Sequence, residues 1–319
     1  MLKISDSLIK ELIEVMKSHV DFNQNTKNFL SNVINKKLDI SNEESKKYLE
    51  FLQKEHLIYN LKYEIKNPNF SFVDLFRIND TYSIGDYSFC FYSYQKDQVL
   101  QVEEAPPLQD LRQGKNILVL NRDIVVPCVT YKDKPFCILP IKDITKTTTF
   151  KKAKGKVVLY GIGLGNTFYN LTNNKNVTEI QIIKENNDLE KIFKHLTLPK
   201  INTTQTITFI DENNIKNYDY IIIDDTYLSK EKTNELYKKY CNNKNVLFVN
   251  QKTIENNLKI ELFKQIIVFI GDPKNINKDS EIGKRLFHYL SKNDFELNTL
   301  QDFFIFLDDN YKKVLLYEI

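Results

Sequence analysis

The sequence predicts an α/β protein: a Rossmann-like doubly wound sheet in the C-terminal half, preceded by an N-terminal helical unit and a β-rich middle segment. Three observations carry this. Apolar residues recur at helical spacing over the first 66 residues, which contain no Gly or Pro. A tyrosine- and phenylalanine-rich stretch then alternates at strand spacing. From Lys156 onward, short apolar runs alternate with amphipathic runs, the pattern of a parallel sheet covered by helices. The expected domains are 1–66 (helical unit), 67–150 (β-rich connector) and 151–319 (Rossmann-like domain).

Each element has a local reason. In ISDSLIKELIEVMKSHV, Ile4, Leu8, Leu12, Ile13 and Met16 form one helical stripe, and Phe29, Leu30, Val33 and Ile34 form a second. Ser41 and Glu44 make a capping box that starts a third helix. Three such helices read as a packing module or a dimer face. The acids beside the lysines of the third suit a phosphate backbone poorly. In the middle segment YSFCFYSY is a strand, EEAPPLQD and RQGK are turns, and ILVLNRDIVVPCVTYKDKPFCILPI gives short strands parted by NRD and YKDK. KTTTFKKAKGK is a basic linker, helical near 147–153. Then KVVLYGI, TEIQIIK, QTITFI, YDYIIID and NVLFVN are strands, while GNTFYNLTNN, NNDLEKIFKHL, SKEKTNELYKKYC and EIGKRLFHYLSK are helices. The apolar runs DFFIFL and VLLYEI carry no assignment.

Composition narrows the function classes. With 319 residues, 42% hydrophobic and 27% charged, the chain can bury a large core and form two domains. A net charge of +3 gives no argument for nucleic acid or for a membrane surface. The cysteines Cys90, Cys128, Cys137 and Cys241 form no C-x-x-C pair and have no histidine at ligand spacing, so no metal site is expected and free thiols fit a reducing compartment. The start MLKISDSLIKEL carries acids and lacks a signal-type apolar run. No segment reaches the roughly 18 apolar residues of a membrane span. A cytoplasmic location follows as the expectation. P-loop, G-x-S-x-G and H-E-x-x-H motifs are absent.

The informative stretch is GIGLG. Of only 8 glycines, three stand at 161, 163 and 165, between a buried strand and a helix. Residues without Cβ accept positive φ and let main chain approach a ligand closely, while amides at the next helix start face a polar group. A tight strand-to-helix turn without ligand is the plain alternative. Tyr160, Phe168 and Tyr169 flank the turn, either toward a ligand or into the core. His195, late in a helix, suits the helix dipole better than catalysis.

The stretches KGKVVLYGIGLGNTFYNL, VTEIQIIKEN and YDYIIIDD resemble class I S-adenosylmethionine-dependent methyltransferases, and more narrowly methyltransferase-like proteins of low-GC Firmicutes and their phages. The resemblance covers Lys154 to Asn250. It implies that Gly161, Gly163 and Gly165 line the methionine and ribose end of S-adenosylmethionine. It implies an acid at the end of the second strand for the ribose hydroxyls. Lys184 holds that place here and Glu185 follows, so only a twisted or bulged strand end brings Glu185 in. Asp211 matches the position that meets the adenine amine. Asp224-Asp225-Thr226-Tyr227 keeps the acid and the aromatic of amino-methyltransferases but lacks their two prolines, which makes Asp224 and Tyr227 the catalytic candidates and leaves amine methylation of DNA unclaimed. Capping of the next helix is the plain role for Asp224.

The resulting expectation is an S-adenosylmethionine-binding methyltransferase-like protein of unassigned substrate, acting by in-line displacement with the protein positioning the reactants. The alternative is an inactive methyltransferase fold acting as an interaction protein, phage-encoded and engaging a host or defence protein through residues 1–66. An aminopropyltransferase is a third reading. A nucleoside cofactor, a protein partner and a second copy of the chain are the partners considered.

Overall fold

A computed structural model describes residues 2–15, 17, 43, 46, 47, 50, 54, 60–62, 68–96, 98–101, 116–145, 150–271 and 280–317. The second and third expected helices, the capping box of Ser41 and Glu44, and the turns EEAPPLQD and RQGK lie outside the described residues or nearly so.

The chain forms two compact units, and they divide it differently from the three expected domains. One comprises Met1–Leu61, Glu103–Ile117 and Lys252–Ile319; the other comprises Lys62–Val102 and Leu118–Gln251. Most of the middle segment therefore falls in the unit of the parallel sheet, Glu103–Ile117 falls in the other unit, and the tail falls with the N-terminus.

In the second unit, strands β1 (Tyr82–Ile84), β2 (Tyr87–Tyr94), β3 (Ile124–Tyr131) and β4 (Lys134–Ile138) form an antiparallel sheet in that order. Lys132 and Asp133 take positive φ in the YKDK turn, which closes a tight hairpin between β3 and β4. Helix α1 (Ile141–Thr145) follows. Of the expected helix near 147–153, the described part contains only a turn at 151–152.

The same unit holds a mixed α/β layer with a five-stranded parallel sheet. Its strands are β5 (Gly155–Tyr160), β6 (Val177–Ile183), β7 (Thr206–Ile210), β8 (Tyr220–Ile223) and β9 (Val246–Phe248), in the spatial order β7-β6-β5-β8-β9. Helices α2 (Asn166–Thr172), α3 (Asn187–Ile192) and α4 (Lys230–Tyr240) alternate with them. This arrangement is compatible with a Rossmann-like fold. Central β5 is apolar from Val157 to Tyr160 and fully buried there, as a strand covered on both faces requires.

One face of β5 contributes Val157 and Leu159 to a core with Phe168, Leu171, Ile180, Ile182, Phe193 and Ile222. The glycine turn, α3 and the turn after it share a second core with the antiparallel sheet, in which Leu164, Leu189, Ile192 and Leu196 pack with Phe89, Val126, Val129 and Cys137. A core shared in this way joins residues 70–100 and 118–144 to the parallel sheet, since parting them would expose both sides of one apolar layer.

In the first unit, residues 2–4 pair in parallel with Phe295–Leu297. Ile4 thus sits in a strand and leaves the expected helical stripe, while residues 6–15 are helical with Leu8 and Leu12 fully buried. Helices run over Gln251–Gly271, Glu281–Lys292 and Leu300–Leu316. The unassigned runs DFFIFL and VLLYEI fall largely in the last of these, which opens on a capping box between Thr299 and Asp302. Residues 270–271, which begin IGDPKN, end a helix.

Candidate functional site at the glycine turn

The candidate site lies at the carboxyl end of the parallel sheet. Beyond Tyr160 the chain turns through Gly161 (φ 74°), Gly163 (φ 47°) and Gly165 (φ 95°), all left-handed. Gly165 donates its N–H to the Ile162 carbonyl and is the N-cap of α2.

Each glycine is pressed by a neighbour. A Cβ at Gly161 would strike the Asp224 carbonyl. At Gly163 it would overlap the Tyr227 ring, with Cε2 at 2.5 Å, and at Gly165 it would lie 2.7 Å from Cε2 of Phe193. The space freed by the missing side chains is thus taken by protein at all three positions. At Gly163 the neighbour is an aromatic ring from the β8 end.

Glu185 is turned toward this turn. β6 ends at Ile183, and Lys184 still donates its N–H to the Ile210 carbonyl at 3.0 Å. Asn186 then caps α3, accepting from Asp188 and Leu189 N–H. Between the last paired residue and the cap, Glu185 is free to swing back, and its Oε1 accepts the Gly161 N–H at 3.0 Å. The strand end therefore places Glu185 where the adjoining Lys184 cannot reach. The side chain keeps an exposed edge, but crowding of its carboxyl by protein raises its pKa to about 7; the Gly161 N–H and the Lys232 charge oppose that rise, and the charges of Asp224 and Glu212 add to it.

Asp211 points away. Its side chain is 65% exposed and lies 3.8 Å from Lys184 Nζ. The next residue, Glu212, faces inward and binds Lys232 Nζ at 2.7 Å and Lys239 Nζ at 3.6 Å. Burial pushes the Glu212 pKa up, but the Lys232 hydrogen bond and the two lysine charges hold it below the usual carboxylate range. Glu212 was not singled out by the sequence. The available signal was the seven-residue spacing of Lys232 and Lys239 on one face of α4.

Asp224 is 2% exposed. Its carboxylate accepts Thr167 Oγ1–H at 2.5 Å and the Thr226 N–H at 3.2 Å. Burial raises its pKa to about 7, with the Asp143 and Asp225 charges in the same direction and the two hydrogen bonds against it. It caps the single turn Asp225–Tyr227. Asp225 accepts the Asn250 N–H at 2.9 Å and its side-chain amide at 3.0 Å. The Asp224 carbonyl, packed on Gly161, also accepts the Tyr227 N–H at 3.4 Å. Without the two prolines this carbonyl is folded into the turn and is not presented outward.

Tyr227 lies with its ring on Gly163 and its hydroxyl enclosed without a hydrogen-bond partner. Burial drives its pKa well up, reinforced by the charges of nearby Cys137, Asp143, Asp224 and Tyr94. Asp143, itself raised by burial, accepts the Asn166 side-chain amide at 3.0 Å. Sequence reasoning missed Asp143, since residues 141–145 carry no motif and the helix in this region was expected near 147–153.

The remaining residues settle elsewhere. Tyr160 and Phe168 are fully buried, and Tyr169 packs against Phe72 at 5.7 Å between ring centroids. His195 stacks on Tyr82 at 4.1 Å. Among the described residues no cluster of His, Cys, Asp and Glu could hold a metal ion, and no helix is long and apolar enough to cross a membrane. An open polar cleft lined by Lys151, Asn170, Asn173 and Lys175 lies at the far end of α2 from the glycine turn. No protein family model and no curated protein matches this chain.

Proposed function

We propose that the parallel sheet is a Rossmann-like, methyltransferase-type fold that binds S-adenosylmethionine or a related nucleoside at the ends of β5 and β6. The observation that carries this reading is the Glu185–Gly161 contact. It brings an acid and a bare main-chain turn together, and a carboxylate there can accept two vicinal hydroxyls in a charge-assisted pair. The ribose end of the cofactor fits the residues present. The amino-acid end fits only if the Tyr227 ring leaves Gly163.

Bound S-adenosylmethionine would supply an activated methyl group. Glu185, fixed by the Gly161 N–H, would hold the ribose, and Glu212 with Lys232 would border the base. Asp224 would act from behind the turn, keeping the Asp225–Tyr227 segment in place through its cap. The acceptor is unassigned.

Isothermal titration with S-adenosylhomocysteine tests the reading. Binding by the wild type, weakened about tenfold or more in Glu185→Gln, is expected, since a hydrogen bond to a charged group is worth roughly 1.5–3 kcal/mol. No heat at millimolar ligand from a folded protein would remove it. The ring on Gly163 favours a second reading, in which the sheet is a scaffold and the protein works by contact with another protein. Absence of nucleoside binding would select that reading. Residues 1–66, the expected contact unit, lie mostly outside the described residues.

A further inference from the structure

We propose that Tyr227 is a gate on the glycine turn: its ring, seated on Gly163, closes the place of a nucleoside ligand's amino-acid end and swings away to admit it. The gate rests on the nucleoside reading above.

Three observations carry it. First, the ring fills the hollow that glycine leaves at 163, since any Cβ there would overlap it. Second, the closed position leaves a polar atom unsatisfied. The Tyr227 hydroxyl is enclosed without a partner although Asp143, Asp224, Tyr94 and Cys137 are its electrostatic neighbours. A buried hydroxyl without a hydrogen bond is paid for by other contacts, here packing of the ring against the core shared with the antiparallel sheet. The missing hydrogen bond lowers the cost of leaving the closed position, and a ligand that binds the open state better shifts the population toward it. Third, the hydrogen bonds that anchor the segment are made by its backbone and by neighbouring residues, and none by the Tyr227 side chain. The Asp224 cap and the Asp225–Asn250 bonds precede it, and Ser229 caps α4 after it by accepting the Lys232 N–H. Rotation of the Tyr227 side chain leaves all of these intact.

A ligand that binds only the open state shows an affinity reduced by the fraction of open protein. Removing the ring removes that reduction. The test is calorimetric titration of S-adenosylhomocysteine into the full chain as wild type, Tyr227→Ala and Tyr227→Phe. The gate predicts Tyr227→Ala binding about tenfold tighter or more than wild type. Tyr227→Phe keeps the ring and loses only the unpaired hydroxyl, so its affinity is expected within about threefold of wild type and its Tm no lower. Where Tyr227→Ala does not fold, Tyr227→Leu, apolar but without the ring, makes the same comparison. Equal or weaker binding by the ringless variant overturns the gate and leaves the nucleoside reading standing. No binding by any folded variant overturns the nucleoside reading and the gate with it.

Discussion

Gly163 shows how a single missing side chain is used. Its φ of 47° lies in the left-handed region, and its α-carbon carries the Tyr227 ring. Gly163→Ala therefore adds both backbone strain and an overlap, together about 2–4 kcal/mol. A urea midpoint well below wild type at unchanged m-value is the expected outcome; an unchanged midpoint would mean the ring is not there. Glu185 makes the complementary case. Its pKa near 7 means that its ionised form, the one that accepts hydroxyls, fills in across neutrality. Nucleoside affinity should rise between pH 6 and 8 in the wild type and stay flat in Glu185→Gln. The glycines and Glu185 were legible in the sequence. The ring was not recognised as their occupant, because no local pattern says which distant residue fills a gap.

Among the elements, α4 and the β7 end form a unit that strand and helix patterns do not announce. Lys232 bonds Glu212 at 2.7 Å and Glu235 at 3.1 Å, and its charge also lowers the pKa of Glu185. Lys232→Ala should let the Glu185 pKa rise further and return Glu212 toward ordinary values, both visible in a carboxyl NMR titration. The cost in stability should stay below about 1 kcal/mol, since the pair is partly solvated. The alternation of strands and helices from 155 to 248 was readable from apolar periodicity alone. The helix Leu300–Leu316 was not, because its buried positions, including Phe303, Phe304, Phe306 and Leu307, crowd into a run that reads equally as a strand.

At the scale of the whole molecule, acids crowded by protein set a pH dependence of stability. Asp224 and Glu185, whose carboxyls ordinarily titrate at 3.8 and 4.5, are pushed up to about 7 in the folded chain. The folded chain thus holds more protons than the unfolded one between about pH 4 and 7, so this contribution is full at low pH and is lost as pH rises through 7. Asp80, lowered by its Lys200 hydrogen bond, works in the opposite sense, its contribution being lost only as pH falls below the ordinary carboxylate range. Asp224→Asn should reduce the loss of stability between pH 5 and 7.5 by about 2 kcal/mol. Urea unfolding at the two pH values checks it, and an unaltered slope would show that Asp224 is not the group titrating.

The sequence by itself determined the alternation of strands and helices from 155 to 248 and the place of the glycine turn, because burial period and backbone freedom are local properties. The tertiary structure alone decided that residues 68–101 and 118–145 share a core with the sheet, that the tail joins the N-terminal unit, that Glu185 reaches Gly161, that Glu212 faces inward where Asp211 does not, and that Tyr227 lies on Gly163. Those outcomes depend on contacts between residues far apart in the chain, whose energies no short stretch contains.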